Sequence, residues 1–238
     1  GFNQGGFNLN LGLAPESNNS NLYYDPEFLT NYEIGFNSQL FNKMMNVSAV
    51  IFYSDRDDQQ VLISTQVDPM DPNTFSFLTQ NAAEGINKGV ELNLDIELSE
   101  SVYFFSRLGL LQTDINNWKS RPDLEGRAQA HAPKKSFALG INWSITDRAS
   151  LSIDLVGKSS FYYSDSHDNQ SSSYSLTNIN YDYSIGRWTY SIWARNVFDE
   201  YYSVRGFYFG NEAPDFQDTL YERHGDPKHL GFTARYDF

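Results

Sequence analysis

Four carboxylates, Glu33, Glu91, Asp95 and Glu97, fall where an alternating chain turns side chains toward one side of a sheet. Paired acids suit general acid/base or metal chemistry, and a retaining glycosidase needs two of them roughly 5 to 5.5 Å apart across a cleft. Nothing in this spacing demands such a pair. The histidines are His131, His167, His224 and His229. Asp165-Ser166-His167-Asp168 offers ligating groups, but no His-x-His or Glu-x-x-His pattern accompanies it and the chain has no cysteine. No Gly-x-Ser-x-Gly turn supplies a nucleophile elbow, and Gly5-Gly6 lacks the Gly-Lys-Ser/Thr of a phosphate loop. The residues therefore predict no catalytic site, no resident metal and no covalently bound cofactor.

Two segments are chemically richer. Residues 118–135 gather Trp118, Lys119, Arg121, Arg127, His131, Lys134 and Lys135 in a chain whose 30 acidic and 17 basic residues leave it at −13. A local cationic field of this kind draws anionic cargo, or engages nearby phosphates and loop acids. Arg205-Gly206-Phe207-Tyr208-Phe209-Gly210 sets adjacent rings between glycines, able to stack on a flat ligand or on a neighbouring loop. The candidate ligand-binding residues are accordingly Trp118, Arg121, Arg127, His131, Arg205, Phe207, Tyr208 and Phe209. A pI near 4.6 repels nucleic acid. The 18 Phe, 16 Tyr and 4 Trp carry far more ring surface than a disordered chain.

Strands must position these groups. No stretch reaches the roughly eighteen consecutive apolar residues of a membrane helix, mean hydropathy is −0.52, and the sustained periodicity is two. Phe137, Leu139, Ile141, Trp143 and Ile145 alternate with small or polar residues. Val90, Leu92, Leu94, Ile96 and Leu98 alternate with a set that includes Glu91, Asp95 and Glu97, and Leu230, Phe232, Ala234, Tyr236 and Phe238 close the chain in the same way. Further strands are expected over about 27–40, 46–64, 101–113, 149–161, 173–184 and 187–203, with a remnant over 1–8, roughly ten in all. Faces are ambiguous where Val50 and Phe52 oppose Ala49 and Ile51, and where Trp193 shares a side with Ser191 and Arg195.

Short connections near 42–45, 99–100, 146–148 and 185–186 alternate with long ones near 9–26, 65–84, 114–135, 162–172 and 204–226. In an up-and-down order every short turn then lies at one end and every long loop at the other, as in a membrane barrel. Rings near strand ends, Trp143, Trp188, Tyr162, Tyr163, Tyr183, Tyr201 and Tyr202, suit the membrane interfaces. A soluble sandwich also alternates but does not account for strand length and turn asymmetry together. The expected fold class is all-β: an antiparallel up-and-down transmembrane β-barrel portion of about ten strands, with short periplasmic turns, long extracellular loops and the carboxylates facing lumen water.

Several segments carry a family likeness. They are Gly1-Phe2-Asn3-Gln4-Gly5-Gly6-Phe7-Asn8, then Tyr24-Asp25-Pro26-Glu27, Asn31-Tyr32-Glu33-Ile34-Gly35, Asn81-Ala82-Ala83 and Lys88-Gly89-Val90-Glu91-Leu92. Gly126 with Ala132-Pro133-Lys134 follows, then Arg195-Asn196-Val197-Phe198-Asp199-Glu200-Tyr201-Tyr202, Gly225-Asp226-Pro227-Lys228 and a terminal aromatic. In that order they resemble the C-terminal part of the barrel of TonB-dependent receptors. The resemblance implies that 1–238 is a fragment, with the plug domain, the energy-coupling box and the first barrel strands absent. It implies the outer membrane of a Gram-negative bacterium, no enzymatic activity, and uptake of an iron–siderophore or similar scarce chelate, with cobalamin, haem or a glycan as alternatives. Implied partners are outer-membrane lipid and lipopolysaccharide, a TonB-type energy-coupling protein and a small-molecule cargo. Phe238 would serve as the aromatic read by the assembly machinery. A passive porin or structural barrel, and a soluble β-rich binding protein, are the competing readings.

Overall fold

The computed structural model describes residues 1–8, 22–66, 75–118, 121–165, 167–210, 212, 214 and 217–238. Its main element is an antiparallel sheet of ten strands. Eight follow one another in chain order: β4 (Glu27–Leu40), β5 (Met45–Gln66), β6 (Phe75–Ser99), β7 (Val102–Trp118), β8 (Lys135–Thr146), β9 (Ala149–Lys158), β10 (Tyr174–Ile185) and β11 (Trp188–Arg195). One edge carries β1 (Phe2–Asn3) against β4 and the other carries β14 (His229–Tyr236) against β11. Among the described residues those two edges do not pair, so the sheet is an open part of a barrel. The small pairs β2 (Gly6–Phe7) with β3 (Tyr23–Tyr24) and β12 (Ser203–Phe209) with β13 (Thr219–His224) stand apart from it.

Residues directly opposite in an antiparallel ladder share a face, so the register extends the alternation across the whole sheet. One row runs Ile34–Ile51–Val90–Leu110, and further round another runs Leu151–Tyr181–Ile192–Phe232. The opposite face places Asn37, Ser48, Asn93 and Arg107 in one row. It also holds Asp95, whose carboxylate accepts the Tyr103 hydroxyl and an Arg107 guanidinium N–H, each at 2.6 Å. Glu33 and Glu91 lie on this polar side with Phe52 and Val50 respectively as register neighbours. Both ambiguities resolve here: Ala49 and Ile51 take the apolar face with Leu92 and Val90, while Trp193 turns to the polar face opposite Gly231.

The apolar face covers no core. Ile34 is 74%, Phe232 64%, Trp143 45% and Leu92 38% exposed, and Leu139 is half-buried. Buried apolar side chains among the described residues are Ala83, Ile115, Leu124, Ala149, Phe161 and Tyr163, most of them at the long-loop end. An apolar band of this extent on a folded chain is the lipid-facing surface of an outer-membrane barrel.

The short turns lie together at one end. Thr146 Oγ1 accepts the N–H groups of Arg148 and Ala149. Gly186, at φ 60°, completes the tight link between Ile185 and Trp188. At this end Trp188 lies 5.9 Å from Tyr190 and 5.0 Å from Tyr236, and Tyr236 lies 5.2 Å from Phe238, which makes a ring belt on the apolar face.

Several boundaries differ from the sequence-based ones. The loop expected over 65–84 is strand from Phe75 onward, and β7 continues to Trp118, because tall hairpins keep pairing above the neighbouring strands. The strand expected to 161 ends at Lys158. The remnant over 1–8 is two short pieces. The strand expected over 187–203 stops at Arg195, where Asn196 takes a left-handed φ of 47°. Part of the 204–226 loop is the β12–β13 hairpin. Tyr163 belongs to no membrane belt, being 4% exposed and packed among the loops.

Candidate functional site

Asn196 decides where the last long connection goes. Its amide nitrogen donates to the carbonyls of Glu200 (2.9 Å) and Asp226 (3.1 Å), its side-chain oxygen accepts the Glu200 N–H (2.8 Å), and its own N–H donates to Asn178 Oδ1 (3.0 Å). Only 4% exposed, the side chain ties both legs of the connection together as they leave β11 and β14. Asn tolerates the left-handed conformation at low cost, and Asp199, at φ 54°, anchors Lys228 N–H with its carboxylate at 2.8 Å.

The β12–β13 hairpin therefore folds back onto the neighbouring loops. Gly206 presses on the Tyr163 ring, where a β-carbon would stand 2.5 Å from Cγ, and the Tyr163 hydroxyl donates to Glu222. Burial, with that carboxylate adding to it, pushes the Tyr163 phenol up to about 12. On the same hairpin face Tyr208 stacks on His167 at 3.6 Å and 8°, and His167 Nε2 is 3.4 Å from Asp218. Arg127 crosses from the preceding loop: its guanidinium sits 4.1 Å over the Tyr162 ring, pairs with Asp168 at 2.5 Å and donates to the His167 carbonyl. The Ala130 N–H donates to Asp165. Three long connections are thus interlocked at the outer end.

The predicted site residues separate into two groups. Arg127, His131 and Tyr208 join the interlock. Partial desolvation against Phe161, 5.5 Å away, together with Arg205, holds the partly exposed His131 imidazole below its ordinary value. Arg121 pairs within its own loop with Asp123 at 2.8 Å, and Trp118 ends β7 with a buried indole N–H that has no hydrogen-bond partner among the described residues. Arg205, Phe207 and Phe209 lie on the other side of the hairpin and are exposed, with Phe207 stacked 5.6 Å from Tyr221. The rings predicted as one cluster are therefore divided by strand alternation. Sequence reasoning missed Asn196, Tyr162, Tyr163, Asp165 and Glu222 as organisers of this end; the Asn196-to-Tyr202 motif was the available signal for the first. No group of three or more His, Cys, Asp or Glu able to hold a metal occurs among the described residues.

The family described as TonB dependent receptor-like, beta-barrel matches residues 1–197. The chain belongs to the TonB-dependent receptor β-barrel family. Solved structures agree in fold. The ferric yersiniabactin uptake receptor FyuA from Yersinia pestis superimposes with a TM-score of 0.79 at 16% identity, covering 100% of this chain and 34% of that one. The siderophore receptor PiuA from Acinetobacter baumannii gives 0.72 at 17%, covering 92% and 29%. The copper transporter OprC gives 0.69 at 15%, covering 90% and 32%. This chain thus spans about a third of the length of those receptors. Members of the family are outer-membrane receptors rather than enzymes, and this barrel segment is an outer-membrane protein with its long-loop end outward.

Proposed function

We propose that the chain is the C-terminal portion of an active transporter that imports a scarce ferric chelate. The observation that carries this reading is the combination of a lipid-facing apolar band with three interlocked outer loops, on a chain of the receptor family. A plug domain and the first barrel strands precede this segment in the whole protein, and a TonB-type partner in the inner membrane supplies energy through them. Lipopolysaccharide surrounds the outer rim. The barrel itself makes or breaks no bond.

In this reading Arg205, Phe207 and Phe209 offer cargo a cation and two rings, suited to flat anionic ligands. Arg127, His131 and Tyr208 act at one remove, holding the loops that shape the mouth. Trp118 and Arg121 stand at its edge. The likeness to siderophore receptors supports a ferric chelate as cargo. The test is uptake of radiolabelled iron chelates by iron-starved cells that express the full receptor as their sole iron receptor. Chelate-dependent uptake that requires the energy-coupling protein is expected. Energy-independent leakage of unrelated small solutes contradicts active transport and favours a passive pore.

A further inference from the structure

The outer wall carries two cations where the lipid-facing alternation gives out. Lys88 sits on the apolar face of β6 between its register neighbours Tyr53 and Gln112, two residues outward of Val90. Lys135 opens β8 on the same face, opposite Leu110. Its N–H donates to Ser159 Oγ at 3.1 Å and its carbonyl accepts the Ser159 N–H at 2.9 Å, which fixes the backbone there. Lys88 is half-buried and Lys135 exposed, and neither makes an ion pair among the described residues. This face points away from the lumen, so a plug inside the barrel cannot cover it.

The register puts both lysines at one height. Met45 begins β5 opposite Ile96 and, through it, Phe104, whereas the next short turn delivers its strand at Val102, two residues lower. Val102 is level with Trp143 and Leu151, and the strand after the following short turn begins at Ala149, again two residues lower. Each hairpin thus steps two residues along the register, as tilted strands must. Lys135, two strands on from Lys88, is opposite Leu110 rather than Gln112, also two residues lower. The tilt therefore cancels the offset. At the usual strand spacings the two positions are about 12 Å apart.

Their surroundings are sorted by height. Outward, Asp55 and Asp114 flank Ile86 on the same face and repel anions, with Asp114 accepting the Gln112 amide at 2.9 Å. Level with Lys88, the exposed rings of Tyr53 and Tyr32 are register partners, as suits a membrane interface. Inward, the exposed pairs Val90–Leu110 and Leu92–Leu108 form an apolar surface below both lysines.

We infer that this patch of the outer wall holds an outer-leaflet lipid whose headgroup bears two phosphates, one on Lys88 and one on Lys135, with its acyl chains along Val90, Leu92, Leu108 and Leu110. The two carboxylates above keep the phosphates at the level of the lysines. The site rests on the lipid-facing assignment of this face and on the placement of lipopolysaccharide at the rim, but on no cargo, since lipid retention and iron uptake are read separately.

The experiment is native mass spectrometry of the whole receptor containing this chain, purified in detergent with EDTA and titrated with diphosphoryl or monophosphoryl lipid A. One diphosphoryl lipid should be retained, about tenfold more tightly than the monophosphoryl form, the scale of one charge-assisted hydrogen bond. Lys88→Gln and Lys135→Gln should each weaken retention about tenfold and remove the preference between the two lipids. Lys158→Gln, the same charge change on the lumen face, should alter neither. The wild-type preference decides even if a variant fails to fold. Equal retention of the two lipids by wild type, or retention unchanged in both Lys88→Gln and Lys135→Gln, overturns the assignment, as does displacement of the lipid by inorganic phosphate at equal concentration, which would mark a site for free anions.

Discussion

The ring of Trp193 lies across Gly231, its register partner on the last strand, so closely that a β-carbon built there would stand 2.0 Å from ring Cζ2. The arrangement recurs at Phe52 over Gly89, Phe105 over Gly140 and Phe137 over Gly157, all direct cross-strand partners. A ring laid flat on a glycine covers backbone that would otherwise lack side-chain packing.

Gly231→Val should therefore destabilise the closing strand by about 1–3 kcal/mol, the usual cost of overpacking. The temperature at which purified receptor loses its compact gel mobility checks this. Adding Trp193→Ala to that variant should recover part of the loss, since it removes the clashing ring.

The two faces should respond oppositely to charge. Ile141→Arg puts a cation on the lipid side of β8 and should cost about 2–4 kcal/mol near the bilayer centre. Asn142→Arg, one residue on, points into the lumen and should leave assembly intact. Heat-modifiable barrel formation in membranes distinguishes them, and equal effects would contradict the face assignment.

Arg127→Ala removes the contact over Tyr162, the pair with Asp168 and the bond to the His167 carbonyl. Asp168 is largely exposed, so the ion pair itself contributes little. The cation–π and carbonyl contacts carry most of an expected loss of about 1–3 kcal/mol, confined to the loops. Limited proteolysis of intact cells should cut the 159–173 and 204–226 connections faster in the variant, with barrel mobility unchanged.

The loop interlock should weaken in alkali. Tyr163 holds its proton to about pH 12, against an ordinary value of 10.0, so the fold binds that proton more tightly than the unfolded chain does. Its contribution is complete below pH 10 and is lost as pH rises from 10 toward 12. Ultraviolet titration should show a late-titrating component of the tyrosine absorbance that Tyr163→Phe diminishes by one residue.

Much of the barrel was legible because a half-exposed strand must alternate: Phe137 to Ile145 and Val90 to Leu98 read correctly from period two alone. The outer end was not. Whether Asn196 ends a strand depends on partners at Asn178 and Asp226, remote in the chain. The hairpin at 203–224 is held by Tyr163 and His167, which local pattern cannot reveal. Phe207, Tyr208 and Phe209 are consecutive, so any strand through them must split the cluster, and that consequence was available from alternation.

Because the chain lacks cysteine, single Cys substitutions carry a spin label without ambiguity, and a scan of residues 137–145 in the full receptor reconstituted in bilayers tests the lipid-facing assignment most directly. Collision with dissolved oxygen should peak at 137, 139, 141, 143 and 145 and fall at the positions between. Peaks at 138, 140, 142 and 144, or no alternation at all, would contradict it.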